Sequence, residues 1–164
     1  MKILLQGLFG GGAFPIFFVD IVKNRKIFGH EVITIGLQKV NDIVIKSDKI
    51  SVLEISKYLP WTPDVYLCQS PESHILPSEL YRANFPIVAT TCDYDFSLTT
   101  MLKILPIFDS VITYGGVAHQ DMKKIGVKNV YTFPGWLGFL PLDNKNRLMP
   151  EFCGKLAMDE TVTS

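Results

Sequence analysis

Short apolar runs alternate along this chain with longer runs of helical period. Lys2–Gln6 is a continuous apolar run that ends at a glycine cluster, the pattern of a strand covered on both faces. From Ala13 to Phe28, apolar residues such as Phe14, Phe17, Phe18, Ile21 and Val22 recur at helical spacing. Pro15 falls in the first turn of that helix, where its missing N–H costs nothing, and Gly29 supplies the stop. Glu31–Gly36 follows as a second strand, and the three elements make a βαβ unit with a right-handed crossover.

The alternation continues. Val40–Ile45 reads as a short extended piece, and Ser51–Leu59 as a short helix whose Ser51 and Glu54 have capping-box spacing. Pro60 and Pro63 break the chain before a third main strand, Asp64–Gln69. A short helix with proline at its first position is expected over Pro77–Ala83, then a strand over Pro86–Thr91. Ser97–Leu105 reads as a helix, Asp109–Tyr114 as a strand, Ala118–Ile125 as a helix closed by Gly126, and Asn129–Phe133 as the last strand. Short strands interleaved with helices predict an α/β fold with a doubly wound, mainly parallel sheet and helices on both faces. Such a body occupies residues 1–140, and Glu151–Leu156 resembles the opening strand of a further domain. Residues 141–164 are therefore expected to be a linker and the start of a truncated second domain.

Composition narrows the function. Sixteen basic residues balance sixteen acidic ones, so the chain has no electrostatic footprint for nucleic acid. Hydrophobic residues make up 48% of the chain, enough for a folded core. Cys68, Cys92 and Cys153 are widely spaced with no Cys-x-x-Cys pair, which favours free thiols over disulfides or a metal site. The apolar residues after Met1 are interrupted by Gln6 and by three adjacent glycines, and Asp20 closes the next run. No cleavage signal follows, and no stretch reaches the ~20 apolar residues of a membrane span, so a cytoplasmic protein that does not span a membrane is expected.

Doubly wound sheets bind ligands outside the carboxyl ends of their strands. That rule selects the loops after Gln6, Gln69, Thr91 and Tyr114. The first carries Gly10, Gly11 and Gly12, whose backbone can approach an anion closely; a tight strand-to-helix turn is the plain alternative. Its spacing is not the dinucleotide G-x-G-x-x-G, and no acid follows the second strand to hold a ribose, so a nicotinamide cofactor is disfavoured. After the third strand, Glu72 and His74 are candidate substrate-binding groups. After the fourth, Asp93 is the candidate general base or hydroxyl binder, and Asp95 either joins it or caps the next helix. Gly115, Gly116 and His119 follow the fifth strand, His119 with a surface role as its plain reading.

Taken together, these residues resemble the N-terminal Rossmann-like domain of a GT-B glycosyltransferase. The passage Asp109–Tyr114, a helix, Ile125-Gly126-Val127, Asn129-Val130-Tyr131 and Phe133-Pro134-Gly135 is similar to the one that closes the first domain of that family. Thr91-Cys92-Asp93 resembles a corner where many members carry His-Asp, with Cys92 here in place of the histidine. Pro77 to Asp95 and Leu102 to Pro134 are closest to spore-maturation-type and group 1-like members, in which a strand like Phe152-Cys153-Gly154 opens the second domain. The resemblance implies transfer of a sugar from a nucleotide-sugar donor to a sugar or glycan acceptor. The N-terminal domain would hold the acceptor, Gly10 to Gly12 would face the donor phosphates, and no cofactor would be tightly bound. The donor half would come from a second domain or a separate chain, leaving this chain inactive alone. The competing expectation is a non-catalytic Rossmann-like binding or interaction module, which docks or self-associates through the apolar segment Phe133–Leu140.

Overall fold

The computed structural model describes residues 1–7, 26–27, 29–91, 98–114 and 116–133. The strands are β1 (Lys2–Gln6), β2 (Lys26–Ile27), β3 (His30–Gly36), β4 (Ile43–Val44), β5 (Val65–Gln69), β6 (Ile87–Thr91), β7 (Ser110–Tyr114) and β8 (Asn129–Phe133). The described α-helices are α1 (Val52–Tyr58), α2 (Leu98–Ile104) and α3 (Gly116–Lys124). The sheet runs β2-β3-β1-β5-β6-β7-β8, with β4 added against β3. Every pairing is parallel except β2 with β3. From β1 the chain moves outward first to β3 and then, on the other side, to β5 and beyond, which makes the sheet doubly wound. This is the α/β, Rossmann-like class that the sequence pattern predicts.

Register sorts the core. Leu4 lies opposite Tyr66, and Tyr66 opposite Ile87; Cys68, Ala89, Val111 and Val130 form the next row. Side chains alternate along a strand, so these residues share one face of the sheet. The same face carries Val52 and Ile55 of α1, Met101 of α2 and Met122 of α3, all buried in one cluster. On the opposite face Ile3, Leu5 and Val32 form a smaller cluster, flanked by the partly buried Val65 and Leu67.

Aspartates hold the amino ends of the strands. Asp64, just before β5, accepts the Lys2 N–H of β1 at 2.8 Å. Asp109, just before β7, accepts the Ile87 N–H of β6 at 2.8 Å. On the outer side of β3, Asp42 accepts both the backbone N–H and the hydroxyl of Thr34 at 2.8 Å. Each carboxylate satisfies an amide that would otherwise lack a partner.

Two expected elements differ. The helix expected through Phe28 does not reach that far: Lys26 and Ile27 pair antiparallel with Glu31 and His30 around a turn at Gly29, whose φ is +79°. Glycine takes that left-handed backbone without steric cost. The helix expected over Pro77–Ala83 is only a single 3-10 turn, Leu80–Arg82. Glu79 has φ 57°, outside helical space, and Ser78 is taken up in a parallel bridge to Ser51, so the proline has no helix to start. The capping box of α1 forms as read, with Ser51 Oγ accepting the Glu54 N–H at 3.2 Å and Glu54 Oε2 accepting the Ser51 N–H at 3.1 Å. No described helix is long and apolar enough to cross a membrane.

Candidate functional site

The segment after β5 builds one wall of a cavity at the carboxyl edge of the sheet. Ser70 follows the strand in left-handed backbone, with φ 51°, and its N–H is held by the Thr90 carbonyl at 2.8 Å. A non-glycine residue in that conformation is strained, and such strain clusters at functional sites. Pro71 then opens a 3-10 turn over Pro71–Ser73, closed by the Ser73 N–H on Ser70 O at 2.9 Å and the His74 N–H on Pro71 O at 3.3 Å. The turn redirects the chain across the sheet edge and places Glu72 and His74 on the same cavity, of about 590 Å³.

The other walls come from elsewhere in the chain. Lys46, Ser47 and Asp48 lie in the loop after β4, and Thr100 and Ile104 on α2. Because β4 pairs parallel with the last residues of β3, its loop also emerges at the carboxyl edge. Ile75 and Leu76 complete an apolar floor. Among the described residues the lining thus combines one ammonium, two carboxyl groups, two hydroxyls and an imidazole with apolar side chains. That set suits a small polar ligand with several hydroxyls, the apolar base packing against its less polar face and the rim making hydrogen bonds.

The His74 ring lies near the Gln69 backbone, and its Nε2 is buried with no hydrogen-bond partner among the described residues. Burial lowers its pKa from the ordinary histidine value, and the nearby Gln69 backbone offsets only part of that effect. The ring is therefore neutral at physiological pH.

Beneath the wall runs a buried polar chain. Gln6, at the carboxyl end of β1, donates from Nε2 to the Ile75 carbonyl at 2.8 Å. Its Oε1 accepts the Tyr66 hydroxyl, which lies beside the Cys68 thiol. Burial raises both the Tyr66 and the Cys68 pKa, so both stay protonated. Sequence reasoning missed this network and the Lys46–Asp48 loop. The one signal was the polar Gln6 closing an apolar run.

Of the expected site residues, Glu72 and His74 come together on the cavity. His119 does not line it: on α3 its Nδ1 is 3.1 Å from Thr132 Oγ1 of β8. Gly116 is the first residue of α3. Asp93, Asp95, Gly10, Gly11, Gly12 and Gly115 lie outside the described residues, as do the segment after Phe133 and the boundary expected near residue 140. Among the described residues, no group of three or more histidine, cysteine or acidic side chains is placed to hold a metal ion. No protein-family model, curated protein or solved structure matches this chain.

Proposed function

We propose that this domain is the acceptor-side half of a glycosyltransferase, holding the hydroxyl-bearing acceptor while a nucleotide sugar is presented from a separate donor-binding part. The observation that carries the reading is the meeting of Glu72 and His74 on one cavity at the carboxyl edge of a doubly wound sheet, the edge where such sheets bind ligands. Its chemistry fits an acceptor. Carboxylate oxygens and a neutral imidazole nitrogen accept hydrogen bonds from hydroxyls, and an apolar floor takes the C–H face of a sugar ring. Asp93 remains the proposed base for the acceptor hydroxyl and Gly10–Gly12 the proposed phosphate-facing loop, in a cytosolic protein without a tightly bound cofactor.

The test is an amide-shift titration of the ¹⁵N-labelled chain with glucose, N-acetylglucosamine and a nicotinamide dinucleotide. At sugar concentrations on the order of millimolar, the amides of residues 46–48 and 71–76 move, and Glu72→Gln weakens the response several-fold. Saturable binding of the dinucleotide, with the cavity amides unmoved by either sugar, defeats the reading.

The alternative, a non-catalytic binding or interaction module, draws on the opposite sheet face. There Tyr131 on β8 is 58% exposed beside the partly buried Ile112 of β7. Light scattering at increasing protein concentration separates the two readings, since a module that self-associates through this face gives a dimer that Tyr131→Glu disperses.

A further inference from the structure

We propose that the N-terminus of α3, together with the buried hydroxyls of Thr91 and Thr113 beside it, is an oxyanion site that takes a phosphate group. Three threonines stand in one row across the carboxyl ends of β6, β7 and β8: Thr91 lies opposite Thr113, and Thr113 opposite Thr132. They follow Ala89, Val111 and Val130 by two residues each, so the row shares the sheet face that packs against the helices. Neighbours in the row are ~4.8 Å apart, the spacing of paired strands. Thr91 is 1% exposed and Thr113 0%, and neither hydroxyl has a hydrogen-bond partner. Bulk water does not reach them either. An unpartnered buried hydroxyl is costly, and two side by side mark a place where a bound group completes the bonding.

α3 begins over this row. Gly116 opens the helix three residues after Thr113, and His119 in the first turn has Nδ1 3.1 Å from Thr132 Oγ1. The first N–H groups of a helix have no partner within it and carry the positive end of its dipole. α1 answers that need with Ser51 and Glu54. α3 has no acid in its first turn, and the residue before it, Gly115, has no side chain to offer. Donors of two kinds therefore meet at one place, the opening amides of α3 and the hydroxyls of Thr91 and Thr113. An oxyanion accepts from both kinds at once, whereas a cation would face the positive end of the helix. Thr91 ends β6 and Thr113 is next to last in β7, so the group arrives from the carboxyl edge, where doubly wound sheets bind ligands. The site does not depend on the acceptor reading, because it needs no sugar in the Glu72–His74 cavity.

The experiment is an amide-shift titration of the ¹⁵N-labelled full chain with inorganic phosphate, in a phosphate-free buffer at constant ionic strength, with glucose 6-phosphate as a second arm. The amides of Thr113 and of residues 116–119 move, and the shifts saturate at concentrations on the order of millimolar. Thr113→Val keeps the shape of the side chain and breaks no hydrogen bond of the free protein, so its fold is preserved. It weakens phosphate binding about tenfold, and Thr91→Val does the same. Phosphate raises the Tm of the wild type and raises that of either variant less. Equal affinity for both probes assigns the site to the free ion, and tighter binding of glucose 6-phosphate assigns it to a phosphoryl group on a larger ligand; either result supports the proposal. Equal affinity of the wild type and both valine variants would mean an adventitious ion only and overturns it. So does a response confined to Gly10–Gly12, or none at all, which leaves an ordered water as the partner of the two hydroxyls.

Discussion

Asp109 Oδ2 accepts the Ile87 N–H at 2.8 Å, and the Asp109 N–H is itself given to the Ile87 carbonyl at 2.9 Å. The aspartate before β7 thus grips both backbone groups of the residue that opens β6. Asp64 does the same for Lys2, with its carboxylate on the Lys2 N–H and its own N–H on the Lys2 carbonyl at 2.9 Å. Asn129 extends the pattern to β8 by donating from Nδ2 to the Asp109 carbonyl at 2.9 Å. The aspartate that opens the Asp109–Tyr114 passage therefore has a structural task, whatever the family resemblance of that passage.

Replacing Asp109 with alanine strips the acceptor from a partly buried amide, and urea denaturation is expected to show a loss of about 1–2 kcal/mol. Asp109→Asn keeps a weaker, uncharged acceptor and should fall between that variant and the wild type. Equal stability of all three would mean that water satisfies the Ile87 amide.

The hydrogen bond between Gln6 and Tyr66 predicts non-additive mutants. Tyr66→Phe leaves Gln6 Oε1 without its partner in the core, a cost of about 1–3 kcal/mol. Gln6→Leu strands the Tyr66 hydroxyl and frees the Ile75 carbonyl, at a similar cost. The double variant should be more stable than the sum of the two losses implies, and a double-mutant cycle on thermal or urea stability measures the difference.

Ser51→Ala removes one half of a formed capping box, so a loss of about 1 kcal/mol is expected. Ser51→Asp preserves a side-chain acceptor for the Glu54 N–H and should recover most of it. Calorimetry on the three proteins checks the order.

Cys68 is fully buried, and its thiol pKa is raised chiefly by that burial. Thiolate is the reactive form, so iodoacetamide at mildly alkaline pH should leave Cys68 unmodified in the folded protein and alkylate it promptly in urea. Peptide mapping by mass spectrometry reads the result, and native-state labelling at a rate close to that of a free thiol would contradict the buried placement.

The main strands were legible because strands of a parallel sheet carry short β-rich apolar runs between turn signals, as Ile3–Leu5 does before its glycines and Val111–Ile112 does within Asp109–Tyr114. Ser51 and Glu54 were legible because capping is local, complete within four residues. Pro77 misled for the same reason. Its helix-start signal is local, whereas the bridge between Ser78 and Ser51 joins residues far apart in the chain and prevails. The candidate site divides along the same line. Glu72 and His74 could be read from their position after a strand, but Lys46 and Asp48 join them only once β4 is known to lie along β3. Gln6 read as a strand end because its partners, Tyr66 and Ile75, are 60 and 69 residues away.

The aspartate grips at the amino edge carry a consequence for how this protein tolerates change. A one-residue slip between parallel strands would turn every core side chain outward, so alignment must be set somewhere. Here Asp64 and Asp109 act as stops at the amino edge, opposite the cavity. Alignment is settled at one end of the sheet, which leaves the loops at the other end free to lengthen, shorten or exchange residues without shifting a strand. An insertion between Ser73 and Pro77 should alter what the protein holds while the sheet folds as before, and one between Phe108 and Ser110 should do the reverse.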